Sequence, residues 1–351
     1  MKAARIVEVK KPLQVQDLQN PKPKGVEVLV KIASSGVCHS DIHLWEGGYE
    51  GPNGQFMKTT DRGVKYPLTP GHEIAGVVEE MGDATEGFKK GDRVIVFPWV
   101  GEGLCPACKA GDENLCDKPR SLGVYEQGGY AEDILVPSYR YLIRIGDKLD
   151  TDIAAILSCS VLTAYTAVKN ASLKPDDNVV IVGAGGLGLM AIQLVKALTG
   201  ARVIAMDIAD GKLQTAKDNG ADMTVNSKKG DPANGVMEMT DKLGADAVID
   251  FVNASKTVET DMQLLRKRGK VVLVGLFGGE LKLNLVSMPT RAYKLIGSYT
   301  GNLRDLAELV SLAERQVIKP VVSHRFKLDQ ATEALTMLKE GKVTGRGVFK
   351  L

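Results

Sequence analysis

The second half of the chain alternates short, mostly apolar runs with longer amphipathic segments, and this alternation limits the fold more than any other feature. The runs have strand length and the segments have helical periodicity. The runs are Val179–Val182, Arg202–Met206, Ala247–Asp250 and Val271–Val274, and the segments include 187–198 and 212–220. Strands without polar alternation are buried on both faces, so the pattern predicts an α/β fold with a parallel sheet covered by helices.

A glycine-rich turn follows the first of these runs. The stretch Gly183-Ala184-Gly185-Gly186-Leu187-Gly188 lies between the run and a helical segment. Glycines in this context permit a tight turn and let backbone N–H groups approach a pyrophosphate at the helix N-terminus. The turn therefore predicts a dinucleotide site of the Rossmann type. The alternative is a turn that serves only helix packing.

The next run ends in an acidic residue, Asp207. In a dinucleotide site this carboxylate would accept hydrogen bonds from the adenosine ribose and repel a 2′-phosphate. Ile208 and Ala209 follow, with no arginine directly after the aspartate, although Lys212 lies close enough to be a further cofactor contact. NAD is therefore favoured over NADP.

The first part of the chain has the period of two that is typical of β-strands. Strand-like runs occur at 5–9, 26–32, 74–79 and 91–97, and a glycine-rich, poorly periodic loop covers 47–70. Two helical segments, 303–314 and 329–339, and a short strand, 346–350, follow residue 301. The Rossmann unit therefore interrupts a mainly β region to which the C-terminus returns.

Five cysteines are too few, and too odd a number, for a disulfide framework. Cys38, His72 and Cys159 are zinc-ligand types, and three protein ligands leave a fourth position open for water or substrate, as in a catalytic zinc site.

A second ligand set lies in a loop that has little apolar material to order it. Its spacing is Glu102-x2-Cys105-x2-Cys108-x7-Cys116. A closed tetrahedral metal would supply the missing folding energy. For a lone Cys-x2-Cys, the alternative is two ordinary buried thiols. Glu102 is the uncertain member of the set, because only its position in the spacing indicates that it binds the metal.

Charge and hydropathy exclude several classes of partner. The chain has 351 residues and a formal net charge of +2, which indicates no nucleic-acid partner. No apolar run of about 20 residues and no signal sequence is evident, so no membrane partner is expected and the interpretation is a cytoplasmic protein.

Taken together, the motifs resemble those of the zinc-dependent medium-chain alcohol dehydrogenases, specifically the tetrameric archaeal and bacterial NAD-dependent branch. The motifs are Gly36–Asp41, Gly71–Glu73, Gly91–Val94, the Cys105–Cys116 loop, Cys159 and the Gly183 turn. The resemblance implies a GroES-like β-rich catalytic domain at 1–157 with a structural zinc loop at 102–116, a Rossmann NAD-binding domain at 158–298, and a C-terminal return at 299–351. It places the active site in a cleft between the domains.

The same resemblance implies roles for single residues. Cys38, His72 and Cys159 match the catalytic zinc ligands, and Glu73 matches a residue that approaches the metal while ligands exchange. Asp41 matches the carboxylate that orients the zinc histidine. Ser40 and His43 match a relay that passes the alcohol proton to solvent through the cofactor ribose. Further matches are the cofactor contacts His39, Thr163, Val274, Gly275, Leu276 and Arg346, and the substrate-pocket positions Tyr49 and Trp99.

The function implied is transfer of hydride between a primary or secondary alcohol, or the corresponding aldehyde or ketone, and NAD, with two Zn²⁺ per chain in a homotetramer. A polyol dehydrogenase or a carboxylate-bearing semialdehyde reductase of the same superfamily is the alternative within the enzyme class. A non-catalytic nucleotide-binding relative is the alternative from another class. Zinc-less relatives lack the cysteine and histidine ligands, so the ligands found here argue against it.

Overall fold

The computed structural model describes residues 1–351 apart from the side chain of Pro52. The chain forms two compact units: the first comprises 1–48, 58–162 and 301–351, and the second comprises 49–57 and 163–300. The boundaries predicted from the sequence were 157/158 and 298/299. The short segment 49–57 leaves the first unit and joins the second, which no sequence pattern indicated.

In chain order, the strands of the described chain are β1 (Lys2–Arg5), β2 (Gln14–Asp17), β3 (Val28–Val37), β4 (Gly48–Glu50), β5 (Phe56–Lys58), β6 (Ile74–Met81), β7 (Arg93–Val96), β8 (Asp133–Val136), β9 (Leu142–Arg144), β10 (Asn178–Val182), β11 (Arg202–Asp207), β12 (Met223–Asn226), β13 (Ala245–Asp250), β14 (Leu265–Leu273), β15 (Lys294–Gly297), β16 (Val322–Phe326) and β17 (Arg346–Lys350).

The α-helices are α1 (His39–Glu46), α2 (Pro106–Ala110), α3 (Thr151–Ile156), α4 (Leu162–Ala171), α5 (Gly186–Leu198), α6 (Asp210–Asp218), α7 (Pro232–Met239), α8 (Ser255–Leu264), α9 (Ser287–Arg291), α10 (Leu303–Glu314) and α11 (Ala331–Lys339). A π-helical turn, Leu157–Val161, joins α3 to α4.

The first unit is built on a sheet in the order β16-β17-β3-β6-β7-β9, with β8 also paired to β3. All of its pairs are antiparallel except β16 with β17. The last strand of the chain therefore lies beside the strand that leads to Cys38, with Gly347 opposite Val37. A core that includes Tyr130, Phe326 and Phe349 covers one side of this region.

The second unit contains a six-stranded sheet in the order β12-β11-β10-β13-β14-β15, and every pair in it is parallel. The central strands β10 and β13 are almost wholly buried, as the unbroken apolar runs predict. The predicted α/β class, with a doubly wound parallel sheet, is confirmed.

Two local predictions differ from the structure. The first strand is Lys2–Arg5, not 5–9, because the chain turns after Ile6 and Lys10 has a left-handed φ of 63°. The helical stretch Thr151–Ala171 is long and apolar enough to cross a membrane, contrary to the expectation of no such run. However, 83% of its most apolar window is buried within the protein, as in the core helix of a globular fold.

Candidate metal and cofactor sites

Three separate elements of the first unit bring Cys38, His72 and Cys159 together. Cys38 is the residue between β3 and α1, His72 lies two residues before β6, and Cys159 is in the π-helical turn 157–161. All three are buried, and their ligand atoms lie within 4.8 Å of one another. The structure therefore brings together the three residues that the sequence predicted as catalytic zinc ligands.

The distances within this group fit a zinc ion. The Cys38 and Cys159 sulfur atoms are 3.9 Å apart, far beyond the S–S bond of a disulfide. A tetrahedral zinc with Zn–S bonds of about 2.3 Å separates two thiolates by about 3.8 Å. Both ring nitrogens of His72 are buried without a hydrogen-bond partner among the described residues, which suits a ring that binds a metal.

Asp41 contacts both the His72 ring and the backbone of Cys38. Its Oδ1 lies 3.4 Å from Nδ1 of His72, and its Oδ2 accepts hydrogen bonds from the Cys38 N–H at 2.9 Å and the Tyr130 hydroxyl at 2.8 Å. Asp41 has no exposed surface. A carboxylate on one imidazole nitrogen leaves the other nitrogen for the metal, so the geometry fits the orienting role predicted for Asp41.

Glu73 and Arg346 form a buried ion pair beside the thiols. Nη2 of Arg346 lies 2.6 Å from Oε1 of Glu73, and Nε lies 3.1 Å from Oε2. Nη2 also donates to the Cys38 sulfur at 3.4 Å. The carboxylate of Glu73 is thus held by Arg346 and lies outside the group of three ligands. The Arg346 guanidinium, predicted to lie near the pyrophosphate, uses Nε and Nη2 in these bonds, and 3% of the residue's surface is exposed.

The protonation of the two thiols differs. A hydrogen bond from Cys159 holds the pKa of Cys38 well below its usual range, and the charge of Arg346 adds to this effect. The hydrogen bond to Cys38, followed by burial, raises the pKa of Cys159 well above its usual range. Burial alone would lower the pKa of His72, but the negative charges of Asp41 and Cys38 raise it. Zinc binding here would therefore release protons.

The predicted relay residues lie on the first turns of α1. Oγ of Ser40 is 3.8 Å from the Cys38 sulfur. His43 is half-buried, and burial lowers its pKa although Cys38 and Glu46 act in the opposite direction. His39, predicted to contact the cofactor, is exposed.

The two predicted substrate-pocket aromatics have different surroundings. Trp99 is 3% exposed, lies 5.3 Å from the His72 ring, centroid to centroid, and donates from Nε1 to the Ser158 carbonyl at 3.0 Å. Tyr49 is half-buried in β4, within the second unit. Trp99 is thus packed directly against a candidate zinc ligand.

The second cysteine group is local in sequence. Cys105 lies 3.5 Å from Cys108 and 3.8 Å from Cys116, sulfur to sulfur, and the three ligand atoms form one group. Both spacings agree with the thiolate separation around a tetrahedral zinc. Burial raises the pKa of Cys108 to about 12, whereas the backbone N–H groups of Cys108 and Asp117 lower that of Cys105.

The carboxylate of Glu102 does not join this group of described residues, but its backbone N–H donates to the Cys116 sulfur at 3.3 Å. The carboxylate of Glu113 instead connects this loop to neighbouring segments. Glu113 accepts hydrogen bonds from the Gly101 N–H at 3.0 Å and from the Tyr141 hydroxyl at 2.6 Å. Zinc ligation by Glu102 remains a prediction.

The predicted dinucleotide turn lies between β10 and α5. Gly183 has a left-handed φ of 89°, and a Cβ at Gly188 would lie 1.9 Å from the Gly183 carbonyl oxygen, so a side chain there would break the turn. A Cβ at Gly185 would meet nothing within 4 Å. This leaves open space at the N-terminus of α5, where a pyrophosphate would bind. Gly186 and Leu187 begin the helix.

Asp207 ends β11 beside this turn. Its Oδ2 accepts the Ala184 N–H at 2.8 Å, and its Oδ1 accepts the Ile208 N–H at 2.7 Å. The carboxylate is therefore fixed at the carboxyl end of the parallel sheet, where ligands of such sheets bind. The half-buried Lys212 follows in the first turn of α6.

The remaining predicted cofactor contacts also lie in the second unit. Val274, Gly275 and Leu276 follow β14 directly, and Leu276 is 41% exposed. Thr163 is buried in the first turn of α4. These positions lie at or beyond element ends, where loops can face a ligand.

Several residues that support the two metal groups could not be predicted from the sequence. Tyr130 supports Asp41 from a glycine-rich loop, and the Ser160 N–H donates to Glu73 at 3.0 Å. Glu113 and Tyr141 meet across 28 positions. None of these lies in a ligand-like spacing, so only the folded chain reveals them.

Comparison with known proteins agrees with this geometry. A family model for the alcohol dehydrogenase GroES-like domain matches residues 24–147, and one for the zinc-binding dehydrogenases matches 186–315. An NAD-dependent alcohol dehydrogenase of Sulfurisphaera tokodaii is 46% identical over 350 residues, which is 99% of each chain.

Solved structures give the same result. The crystal structure of the alcohol dehydrogenase from Aeropyrum pernix has a TM-score of 0.91 and 38% identity and covers 100% of both chains. A D-arabinose dehydrogenase from Sulfolobus solfataricus has a TM-score of 0.85 and 30% identity, with 100% of this chain and 99% of the other covered. The predicted family is confirmed: this chain belongs to the zinc-dependent medium-chain alcohol dehydrogenases.

Proposed function

We propose that this protein is a zinc-dependent oxidoreductase that transfers hydride between a primary or secondary alcohol and NAD, or in reverse from NADH to the aldehyde or ketone. The observation that carries the proposal is the buried group of Cys38, His72 and Cys159, with ligand atoms within 4.8 Å, in a chain that also has the Gly183–Gly188 turn. Relatives named NAD-dependent alcohol dehydrogenase support the reaction class.

Cys38, His72 and Cys159 would hold the catalytic zinc. Bound there, Zn²⁺ supplies the Lewis acidity that lowers the pKa of an alcohol. The Asp41 carboxylate, 3.4 Å from Nδ1 of His72, would favour the tautomer with its proton on Nδ1 and leave Nε2 for the metal. Trp99 excludes water from one side of His72, since the rings are 5.3 Å apart and Trp99 is buried.

Ser40 and His43 are the residues proposed to move the alcohol proton. The Ser40 hydroxyl is placed next to the ligand Cys38, and hydroxyl oxygens both accept and donate protons. His43 has a pKa lowered by burial, so its imidazole is neutral at pH 7 and able to accept a proton.

NAD is the proposed cofactor, with Asp207 as the group that selects it. The Asp207 carboxylate is held by backbone N–H groups of residues 184 and 208, where it would repel a 2′-phosphate. Gly183, Gly185, Gly186, Leu187 and Gly188 would face the pyrophosphate, with Lys212, His39, Thr163, Val274, Gly275, Leu276 and Arg346 as the other proposed contacts.

We also infer two zinc ions per chain. The second ion would be held by Cys105, Cys108 and Cys116, whose sulfur spacings of 3.5 and 3.8 Å suit zinc, with Glu102 as the proposed fourth ligand. This ion would have a structural role, since the loop is polar and has few apolar side chains of its own. A homotetramer is inferred from the motif resemblance alone, and a cytoplasmic location from the hydropathy pattern of the chain.

A polyol or sugar dehydrogenase is the second candidate. The D-arabinose dehydrogenase that superposes over the whole chain favours it. The buried Trp99 beside His72 favours the less polar alcohols, because an indole offers only one hydrogen-bond donor and that donor is already used by Ser158.

Steady-state kinetics test the proposal most directly. The purified protein should oxidise simple primary and secondary alcohols with NAD, and kcat/KM with NADP should be lower by at least about tenfold. A panel that includes polyols, sugars and semialdehydes separates the candidates. Turnover of sugars alone would favour the second candidate, and no turnover of any alcohol by zinc-replete protein would refute the proposal.

A further inference from the structure

The second unit contains a buried carboxyl group that the proposed reaction does not use. Asp261 lies in the second half of α8 and has no exposed surface. Neither of its oxygens accepts a hydrogen bond from any donor in the described chain. A buried carboxylate without donors is strongly disfavoured, whereas a protonated carboxyl needs only an acceptor. Asp261 therefore requires a neighbouring group that accepts a hydrogen bond from its carboxyl O–H.

Asp250, at the end of β13, is that partner, because Thr257 lies one helical turn before Asp261 on the same face of α8 and donates its hydroxyl to Oδ2 of Asp250 at 2.7 Å. Burial, and then the negative charge and hydrogen bond of Asp250, raise the pKa of Asp261 to about 10. Asp250 is itself fully buried. Burial beside a second carboxyl group keeps Asp261 protonated at neutral pH.

The hydrogen bonds of Asp250 distinguish the two groups. Its Oδ1 accepts the N–H groups of Val252 at 2.7 Å and Asn253 at 2.9 Å, and its Oδ2 accepts the Thr257 hydroxyl at 2.7 Å. Donors gathered in this way stabilise a carboxylate. Asp250 is therefore well supplied with donors, whereas Asp261 has none and is the carboxyl group that carries a proton.

Asp250 in turn fixes the loop that follows β13. Asn253 has a left-handed φ of 57°, a conformation that asparagine tolerates better than most residues. In this conformation its side-chain amide donates to the Gly275 carbonyl at 2.8 Å. The 251–254 loop is thereby connected to the segment after β14.

The two loops also touch through their backbones. A Cβ on Gly275 would lie 2.2 Å from the Val252 carbonyl oxygen, so only glycine allows this approach. Val274, Gly275 and Leu276 are the residues proposed to face the nicotinamide. A change at Asp250 would therefore shift the surface on which the reactive ring lies.

We propose that Asp261 is a positioning residue for the nicotinamide half of NAD. Its protonated carboxyl group donates a hydrogen bond to Asp250. Asp250 accepts the N–H groups of Val252 and Asn253 and so fixes the 251–254 loop, and the Asn253 side chain donates to the Gly275 carbonyl. The proposal rests on the proposed placement of Val274–Leu276 beside the nicotinamide. It predicts that Asp261 acts as a hydrogen-bond donor, a role that asparagine can fill and leucine cannot.

The test uses the zinc-replete protein and three variants. Asp261→Asn keeps a donor towards Asp250, and Asp261→Leu removes it while retaining an apolar side chain suited to a buried helix position. Glu259→Gln, which neutralises an exposed carboxylate on the same helix, is the matched control. Infrared spectra at pH 7 should show a protonated-carboxyl band in the wild type and the control that is absent from both Asp261 variants.

Binding and kinetics then test the positioning role. Asp261→Leu should weaken NADH binding and lower kcat/KM for NAD about tenfold each, as expected for the loss of one hydrogen bond to a charged group. Asp261→Asn and Glu259→Gln should stay within about twofold of the wild type. Equal losses in the Asn and Leu variants, or no loss in either, would overturn the proposal.

A double-mutant cycle examines the route through the loop. Asn253→Gly keeps the left-handed backbone but removes the bond to Gly275. If Asp261 acts through this loop, the double variant Asn253→Gly/Asp261→Leu should lose less NADH affinity and less kcat/KM than the product of the two single losses. Losses equal to that product would show that Asp261 does not act through Asn253. Absence of NADH binding in the wild type would overturn the proposed cofactor site, and the positioning role with it. Wild-type binding that is unchanged in Asp261→Leu would overturn the positioning role alone.

Discussion

The two candidate metal groups each bring three ligand atoms together, but in very different surroundings. Cys38, His72 and Cys159 come from three distant segments, and a buried carboxylate and a buried guanidinium lie next to them. Cys105, Cys108 and Cys116 lie within one short loop, where the backbone N–H groups of Glu102 and Lys118 donate to the Cys116 sulfur. The first group can therefore form only after the fold is complete, whereas the second can help its own loop to fold.

This difference indicates how zinc can serve catalysis in one group and stability in the other. A site intended for chemistry needs an open position and charged groups that orient its ligands. A site intended for stability needs only a closed set of ligands in a loop that cannot order itself. The predictions below separate the two groups, beginning with the largest expected effect.

Removing a ligand from each group should give opposite results. Cys38→Ser should lower kcat/KM for alcohol by on the order of 10³-fold, because Lewis-acid stabilisation is worth several kcal/mol. Cys105→Ser should retain turnover within about threefold at 25 °C but lower the Tm by about 5 to 10 °C. The measurements are steady-state kinetics and thermal unfolding, and a large loss of turnover with unchanged Tm in Cys105→Ser would break the comparison.

Asp41→Asn should weaken zinc binding at the first group alone. Loss of the carboxylate behind a zinc histidine typically costs about 10- to 100-fold in metal affinity. Competition with a coloured chelator would reveal one weakened site and one unchanged site. Tyr130→Phe, which removes only one hydrogen bond to Asp41, is a milder companion. Equal weakening of both sites would contradict the local role of Asp41.

The proton relay should be confined to the first group. Ser40→Ala should lower alcohol oxidation by about 10² and His43→Ala by about tenfold or less, because water can replace a residue at the solvent end of a relay. Imidazole accepts protons only when neutral, that is, above its pKa, and burial lowers the pKa of His43 below 6.5. Activity through His43 should therefore be constant at neutral pH and fall as pH drops below that lowered pKa.

The matching experiment is kcat/KM against pH in both variants, with zinc content confirmed. His43→Ala should lose the fall at low pH and be partly rescued by added imidazole. A profile in His43→Ala identical to that of the wild type would remove this histidine from the mechanism. An unaltered rate in Ser40→Ala would do the same for the serine.

Much of this architecture can be predicted from sequence because it depends on local patterns. Unbroken apolar runs predicted the buried strands β10 and β13, and short cysteine spacings predicted the second metal group. Helix α1 was missed because its eight residues include two histidines, an aspartate and a glutamate. Their helix is set by Asp41 near its start and Gly47 at its end, not by an apolar stripe.

Long-range partners could not be predicted. Arg346 and Glu73 are 273 positions apart, and nothing in either segment indicates that their charges meet beside Cys38. Tyr130 and Ser160 likewise contact the site through a hydroxyl and a backbone N–H, whose partners depend on how the sheet and the π-helical turn pack. The ligand types were predictable, whereas the groups that tune them required the fold.

The smallest expected effect concerns Glu102. If its carboxylate completes the second group, Glu102→Ala should lower the Tm by a few degrees, about 1 to 2 kcal/mol, with turnover nearly unchanged. Glu102→Cys should restore or exceed the wild-type Tm, since thiolate is a favoured zinc ligand. A Tm that does not respond to either substitution would remove Glu102 from the ligand set.

Stepwise zinc removal tests the central claim, that one group is catalytic and the other structural. Wild-type protein is treated with increasing chelator, and zinc per chain, turnover and Tm are measured on the same samples. We predict two zinc ions per chain at the start, with turnover following the loss of one ion and Tm following the loss of the other. A single zinc ion whose removal abolishes both properties together would contradict the account.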